Sequence, residues 1–117
     1  DADSVFITLR FADGSNGTIA YLAEGDRSVP KERIEIFGGR RTFIIDDFRN
    51  GMAYADGKEI EYSLKAQDKG QTEEVRAVCA MVLNGSEAPI SLDDFETTTR
   101  VTFRILDSLR EGRSISI

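Results

Sequence analysis

Residues 32–64 read ERIEIFGGRRTFIIDDFRNGMAYADGKEIEYSL, and this stretch decides the fold. Apolar side chains alternate with polar ones in short runs, and the pairs Gly38-Gly39 and Asp56-Gly57 separate the runs. A period of two belongs to a strand with one buried face, and Asp-Gly supplies the positive φ values that a tight hairpin turn needs. Strands are therefore expected over residues 32–37, 41–47, 52–55 and 58–64. The first two carry apolar groups on both pleat faces: Ile34 and Ile36 alternate with a set ending in Phe37, and Phe43 and Ile45 alternate with Thr42 and Ile44.

Upstream, Val5, Ile7, Leu9 and Phe11 alternate with Phe6, Thr8 and Arg10. Asp13-Gly14 and Asn16-Gly17 turn the chain into a second alternating run over residues 18–23, which gives a hairpin. Residues 24–31 are polar, carry Gly25 and Pro30, and read as a loop. Downstream the period changes. Val75, Val78, Cys79 and Val82 form one helical stripe that should stop near Asn84-Gly85. A second helix is expected from the N-cap Ser91, with Phe95, Val101, Ile105, Leu106 and Leu109 inward and Gly112 as its end. Residues 114–117 alternate again, as a short edge strand would. Strands first and helices last give an α+β class: a largely antiparallel open sheet of about six or seven strands with two helices on one face. Residues 1–117 are read as a single domain. Two helices cannot hide both sides of such a sheet, so its other face is expected to meet a companion.

The chain has 117 residues, a net charge of -6, no histidine and one cysteine. The acidic balance removes the basic footprint of nucleic-acid binding. Without imidazole, serine and cysteine nucleophile triads cannot be assembled. One thiolate and no histidine leave no zinc site, and the acidic segments lack calcium-loop spacing, so no metal is expected. Cys79 cannot form an internal disulfide and is read as a buried small hydrophobe on its helix. No run is long and apolar enough for a membrane span, and a cytoplasmic location is the default expectation. The sequence opens at Asp1 without an initiator methionine and enters a strand pattern almost at once, as a piece of a longer protein would.

The order of elements and the strings ITLRFADGSNGTIAYLAEGD, VPKERIEIFGGRRTFIIDDF and QDKGQTEEVRAVCAMVLNG, with API followed by SLDDFETTTRVTFRILDSLREGRSISI, resemble the C-terminal domain of the Gfo/Idh/MocA family of nicotinamide-dependent oxidoreductases. The resemblance covers nearly the whole chain. Its most particular part is the end, where a helix leads through Gly85 and Pro89 to a long helix and then through Ser108 to Gly112. PKERIEIFGG is closest to the branch of sugar-linked dehydrogenases. The resemblance implies a substrate-binding and oligomerisation domain of an NAD(P)-dependent sugar-type dehydrogenase, with a sugar or nucleotide-sugar substrate. It also implies a homo-oligomer formed through the open sheet face. NAD(P) would belong to an N-terminal Rossmann domain that these residues do not include: no G-x-G-x-x-G follows a strand here, and the family's catalytic Glu-Lys-Pro motif has no counterpart. The chain by itself is therefore expected to hold no cofactor and to transfer no hydride. Where related sequences often carry histidine before the first helix, this chain has Gln71, which can hydrogen-bond a hydroxyl but cannot carry a proton. Read without the resemblance, the same features also fit a free-standing, non-enzymatic module that self-associates through its sheet face.

Four residues are candidates for ligand contact. Lys69 and Gln71 sit at a loop-to-helix junction where backbone N–H groups and a cation could hold a hydroxylated or anionic group, the alternative being a solvated helix start. Lys31 and Arg33 flank the third strand and could meet a phosphate or carboxylate, the alternative being surface charge beside a turn. Asp46 and Asp47, adjacent on a strand, point to opposite faces and cannot act as a carboxylate pair. Asp93, Asp94 and Glu96 complement the dipole of the second helix.

Overall fold

The computed structural model describes residues 3–117. It is an α+β protein with antiparallel, open sheets of two and four strands and two helices. The chain groups into two compact units, Gly25–Glu74 in one, and the chain up to Glu24 with Val75–Ile117 in the other.

The central unit is built from the stretch that opened the reading. Its strands are β3 (Arg33–Gly38), β4 (Arg41–Asp46), β5 (Asn50–Ala55) and β6 (Lys58–Ser63), ordered β3-β4-β5-β6 with every neighbour antiparallel. Two-residue turns join β3 to β4 and β5 to β6, with positive φ at Gly39 and Arg40 and at Asp56 and Gly57. These turns twist the way paired strands twist, which fixes the register. That register sorts the apolar residues. Ile36, Phe43, Ala53 and Ile60 form one row across the sheet, and Ile34, Ile45, Gly51 and Tyr62 form the next. Both rows lie on one face, which carries no charged side chain at these positions. On the opposite face Arg33 bridges Glu35 at 2.7 Å and Asp46 at 2.9 Å, and Ser63 donates to Asn50 at 2.8 Å. Within this unit no element lies over the apolar face, where Ile36, Ile60 and Tyr62 are exposed. Four strands of six residues span about 20 by 20 Å, and the two apolar rows cover about two-thirds of that face, about 270 Å², the remaining row being Gly38, Arg41, Ala55 and Lys58.

In the other unit, β1 (Val5–Arg10) and β2 (Asn16–Tyr21) form the expected hairpin, pairing Val5 with Tyr21, Ile7 with Ile19 and Leu9 with Gly17. Val5, Ile7 and Leu9 are half-buried while Phe6, Thr8 and Arg10 are exposed, as the alternation requires. Ser15 caps the bend by donating its backbone N–H to the Asp13 carboxylate at 2.9 Å. The first helix, α1, spans Gln71–Asn84, its first turn lying in the central unit. It ends at Gly85, φ 64, where the Ser86 N–H reaches back to the Met81 carbonyl at 3.2 Å. The second, α2, spans Leu92–Glu111: Ser91 Oγ accepts from the Asp94 N–H at 3.1 Å, and Gly112, φ 64, donates to the Ser108 carbonyl at 2.9 Å.

Three expectations are corrected. The half-buried positions of α1 are Ala77 and Met81, whereas Val75, Val78 and Val82 are exposed and so is Cys79, which is no buried hydrophobe. From Val75 to Leu83 only Arg76 is polar, so the helix is apolar almost all round and its sequence does not choose a stripe. On α2 the half-buried apolar line is Val101 and Ile105, while Phe95, Leu106 and Leu109 remain exposed. Residues 114–117 form no strand: four alternating residues offer too few rungs without an open edge beside them. Among the described residues none is fully buried, and no helix is long and apolar enough to cross a membrane.

Candidate functional site

The polar cleft of the central unit is built on the turn between β4 and β5. Asp47 and Phe48 both occupy the left-handed region, φ 53 and φ 48, and the turn closes as the Arg49 N–H donates to the Asp46 carbonyl at 3.0 Å. A bulky aromatic residue in that region is strained and persists only where its surroundings hold it. Here they do. The Asp47 N–H donates to the Glu32 carbonyl at 2.7 Å, and the Asp68 N–H donates to the Phe48 carbonyl at 3.0 Å. The Leu64 N–H and the Arg49 Nε close the return of β6 onto Arg49 and Leu64 carbonyls at 2.9 and 3.2 Å. Backbone from three segments thus meets at one turn.

The side chains follow that backbone. Gln67 Nε2 donates to Asp47 Oδ1 at 2.6 Å. Lys69 Nζ donates to Glu32 Oε1 and stands 6.0 Å from the centre of the Phe48 ring. The Lys69 hydrogen bond holds the Glu32 carboxyl below its ordinary value of 4.5, and Lys31 adds a smaller attraction. On the far side, Asp26 accepts from the Ser28 N–H and Oγ at 2.8 and 2.7 Å, which fixes the loop that carries Arg27 and Lys31. Arg27, Lys31, Glu32, Asp47, Gln67 and Lys69 line a cleft of about 400 Å³, within the usual size range of small-ligand sites. An apolar depression of about 300 Å³ lies on the sheet face against Ile36, Phe43 and Ile60.

The structure brings Lys31 and Lys69 to the cleft and places the other two candidates elsewhere. Gln71 opens α1 and is not among the lining residues. Arg33 lies on the opposite sheet face from the apolar rows, where its bond to Glu35 and its attraction to Asp46 raise its pKa further. Asp46 and Asp47 part as expected, one to Arg33 and the other to Gln67. Among the polar lining residues, Arg27, Ser28, Glu32 and Gln67 were not singled out from the sequence, and Asp47 was weighed there only as half of a carboxylate pair. An Asp-x-Ser turn at 26–28 and a glycine-free Asp-Phe turn were the available signals. No family model matches this chain, and no curated protein or solved structure matches it. Among the described residues, no three carboxylate or thiolate side chains gather as a metal site.

Chemically, the cleft pairs hydrogen-bonding groups on Asp47 and Gln67 with a cation already committed to Glu32 and with two further cations at its rim. It can hold a hydroxylated or charged ligand. Nothing in it joins a nucleophile to a base.

Proposed function

We propose that this chain is the substrate-side and oligomerisation part of an NAD(P)-dependent sugar-type dehydrogenase of the Gfo/Idh/MocA kind, inactive without a Rossmann domain. The carrying observation is the face formed by Ile34, Ile36, Phe43, Ile45, Gly51, Ala53, Ile60 and Tyr62, apolar along two of its three rows across four strands, the third row carrying Arg41 and Lys58. An apolar patch of about 270 Å² approaches the size of the largest on an ordinary monomer, and such patches mark contact surfaces. A second copy is the occupant that suits it, since an apolar face is complementary to itself under two-fold symmetry. Each partner in a standard interface contributes about 800 Å², so the apolar rows supply about a third and the Arg41 and Lys58 row with the flanking strand ends and turns supplies the rest. The cleft at the β4–β5 turn is the substrate-side element, where Asp47 and Gln67 offer an acceptor and donors to sugar hydroxyls.

The test is the reading frame upstream of Asp1. A strand, G-x-G-x-x-G and helix in frame with this chain supports the proposal, and hydride transfer by the joined protein but not by residues 1–117 completes it. A start codon directly before Asp1 overturns the dehydrogenase reading.

A further inference from the structure

The cleft holds cations in two different states, and the difference indicates what it takes. Lys69 is neutralised by Glu32, and Arg33, though its neighbour in sequence, is spent on Glu35 and Asp46 across the sheet. Arg27 and Lys31 line the cleft without a hydrogen bond or ion pair to any described residue. The other cleft carboxylate, Asp47, is occupied by the Gln67 amide at 2.6 Å, and Asp26 is occupied by Ser28 at 2.7 and 2.8 Å. In a chain of net charge -6, two uncommitted cations therefore face a cavity whose acids all have partners. The start of α1 does not compete for an anion, because Glu73 and Glu74 fill its first turn and already complement the positive end of the helix dipole.

Resting on the reading above, we propose that the cleft takes an acidic sugar, its carboxylate or phosphate held between Arg27 and Lys31 and its hydroxyls against Asp47 and Gln67. Carboxylates and phosphates share the chemistry that Arg and Lys recognise, a compact oxyanion accepting charge-assisted hydrogen bonds.

The experiment titrates the ¹⁵N-labelled 117-residue chain with glucuronate, glucose 6-phosphate, glucose and inorganic phosphate, following amide shifts. Glucuronate or glucose 6-phosphate should move the amides of residues 27–32 and 67–69 and bind about tenfold more tightly than glucose, the gain expected from charge-assisted contacts. That gap should close in the R27Q/K31Q double variant and persist in R33Q. Whichever acid binds more tightly identifies the oxyanion. Glucose binding as well as both acids would overturn the anionic assignment and leave the sugar-cleft reading intact. Phosphate alone matching glucose 6-phosphate would overturn the sugar half. Shifts from none of the four would remove the cleft as a ligand site, while the sheet-face contact would still be judged by the mass of the protein in solution.

Discussion

Replacing Ile60 by lysine separates folding from association. Ile60 lies on β6, an edge strand, and is 67% exposed in the single chain, so only about a third of its burial is already used. Full burial of such a side chain is worth about 1.5–3 kcal/mol, which leaves about 1–2 kcal/mol for a partner to gain and below about 1 kcal/mol for the fold to lose. A two-fold contact contains the residue twice. The loss on association is then about 2–4 kcal/mol, a weakening of the dimer by about 30-fold to about 1,000-fold, before any cost of burying the ammonium. Sedimentation equilibrium over a concentration series measures that constant, and thermal unfolding of the same samples at low concentration measures the fold. I60K should be a monomer where the parent is a dimer, with a nearly unchanged melting temperature. A parent that stays monomeric at the highest concentration, or an I60K chain that associates equally well, would refute the reasoning.

Four further outcomes follow from local geometry. Ser91→Ala removes the acceptor for the Asp94 N–H and should cost about 1 kcal/mol, or about 4 °C in the thermal midpoint followed by circular dichroism. Gly57→Ala forces a side chain onto φ 70 and should destabilise the β5–β6 hairpin by about 1 kcal/mol, read as a lower urea midpoint with an unchanged slope. The depressed Glu32 carboxyl contributes stability that is fully present above its ordinary value of 4.5 and is lost as pH falls through its lower folded value. Urea midpoints at descending pH should therefore fall less steeply for Glu32→Gln than for the parent in that window. Arg33→Ala breaks two exposed ion pairs that solvent screening keeps weak, and should shift the urea midpoint only slightly.

What could be read from the sequence was what backbone periodicity controls. Asp56-Gly57 and the alternation from Lys58 onward placed the last hairpin, because the turn chemistry and the strand period agree there. Ser91 and Gly112 bounded α2 because caps are local interactions. The strand from 52 instead began at Asn50, and the one from 18 began at Asn16, since polar residues can fill ladder positions once a partner strand is present. The inward side of α1 was not legible because Val78 and Met81 are equally suited to a core. The cleft was half legible. Lys31 and Lys69 stood out as cations beside turns, but the convergence of Glu32, Asp47 and Gln67 depends on contacts up to 37 residues apart. The Asp47-Phe48 turn concealed itself further, since the Gly or Asn that normally announces positive φ is missing.

The four-stranded sheet also has two open rims, because β3 and β6 each bond to one neighbour only. A contact through the flat apolar side closes after two copies, whereas rim-to-rim pairing would add chain after chain into a filament. Along β6, Lys58, Glu59 and Glu61 put charge at three of six positions, and another β6 laid alongside would bring like carboxylates together. The charges of β6 thus weigh against edge-to-edge addition of further copies along that rim.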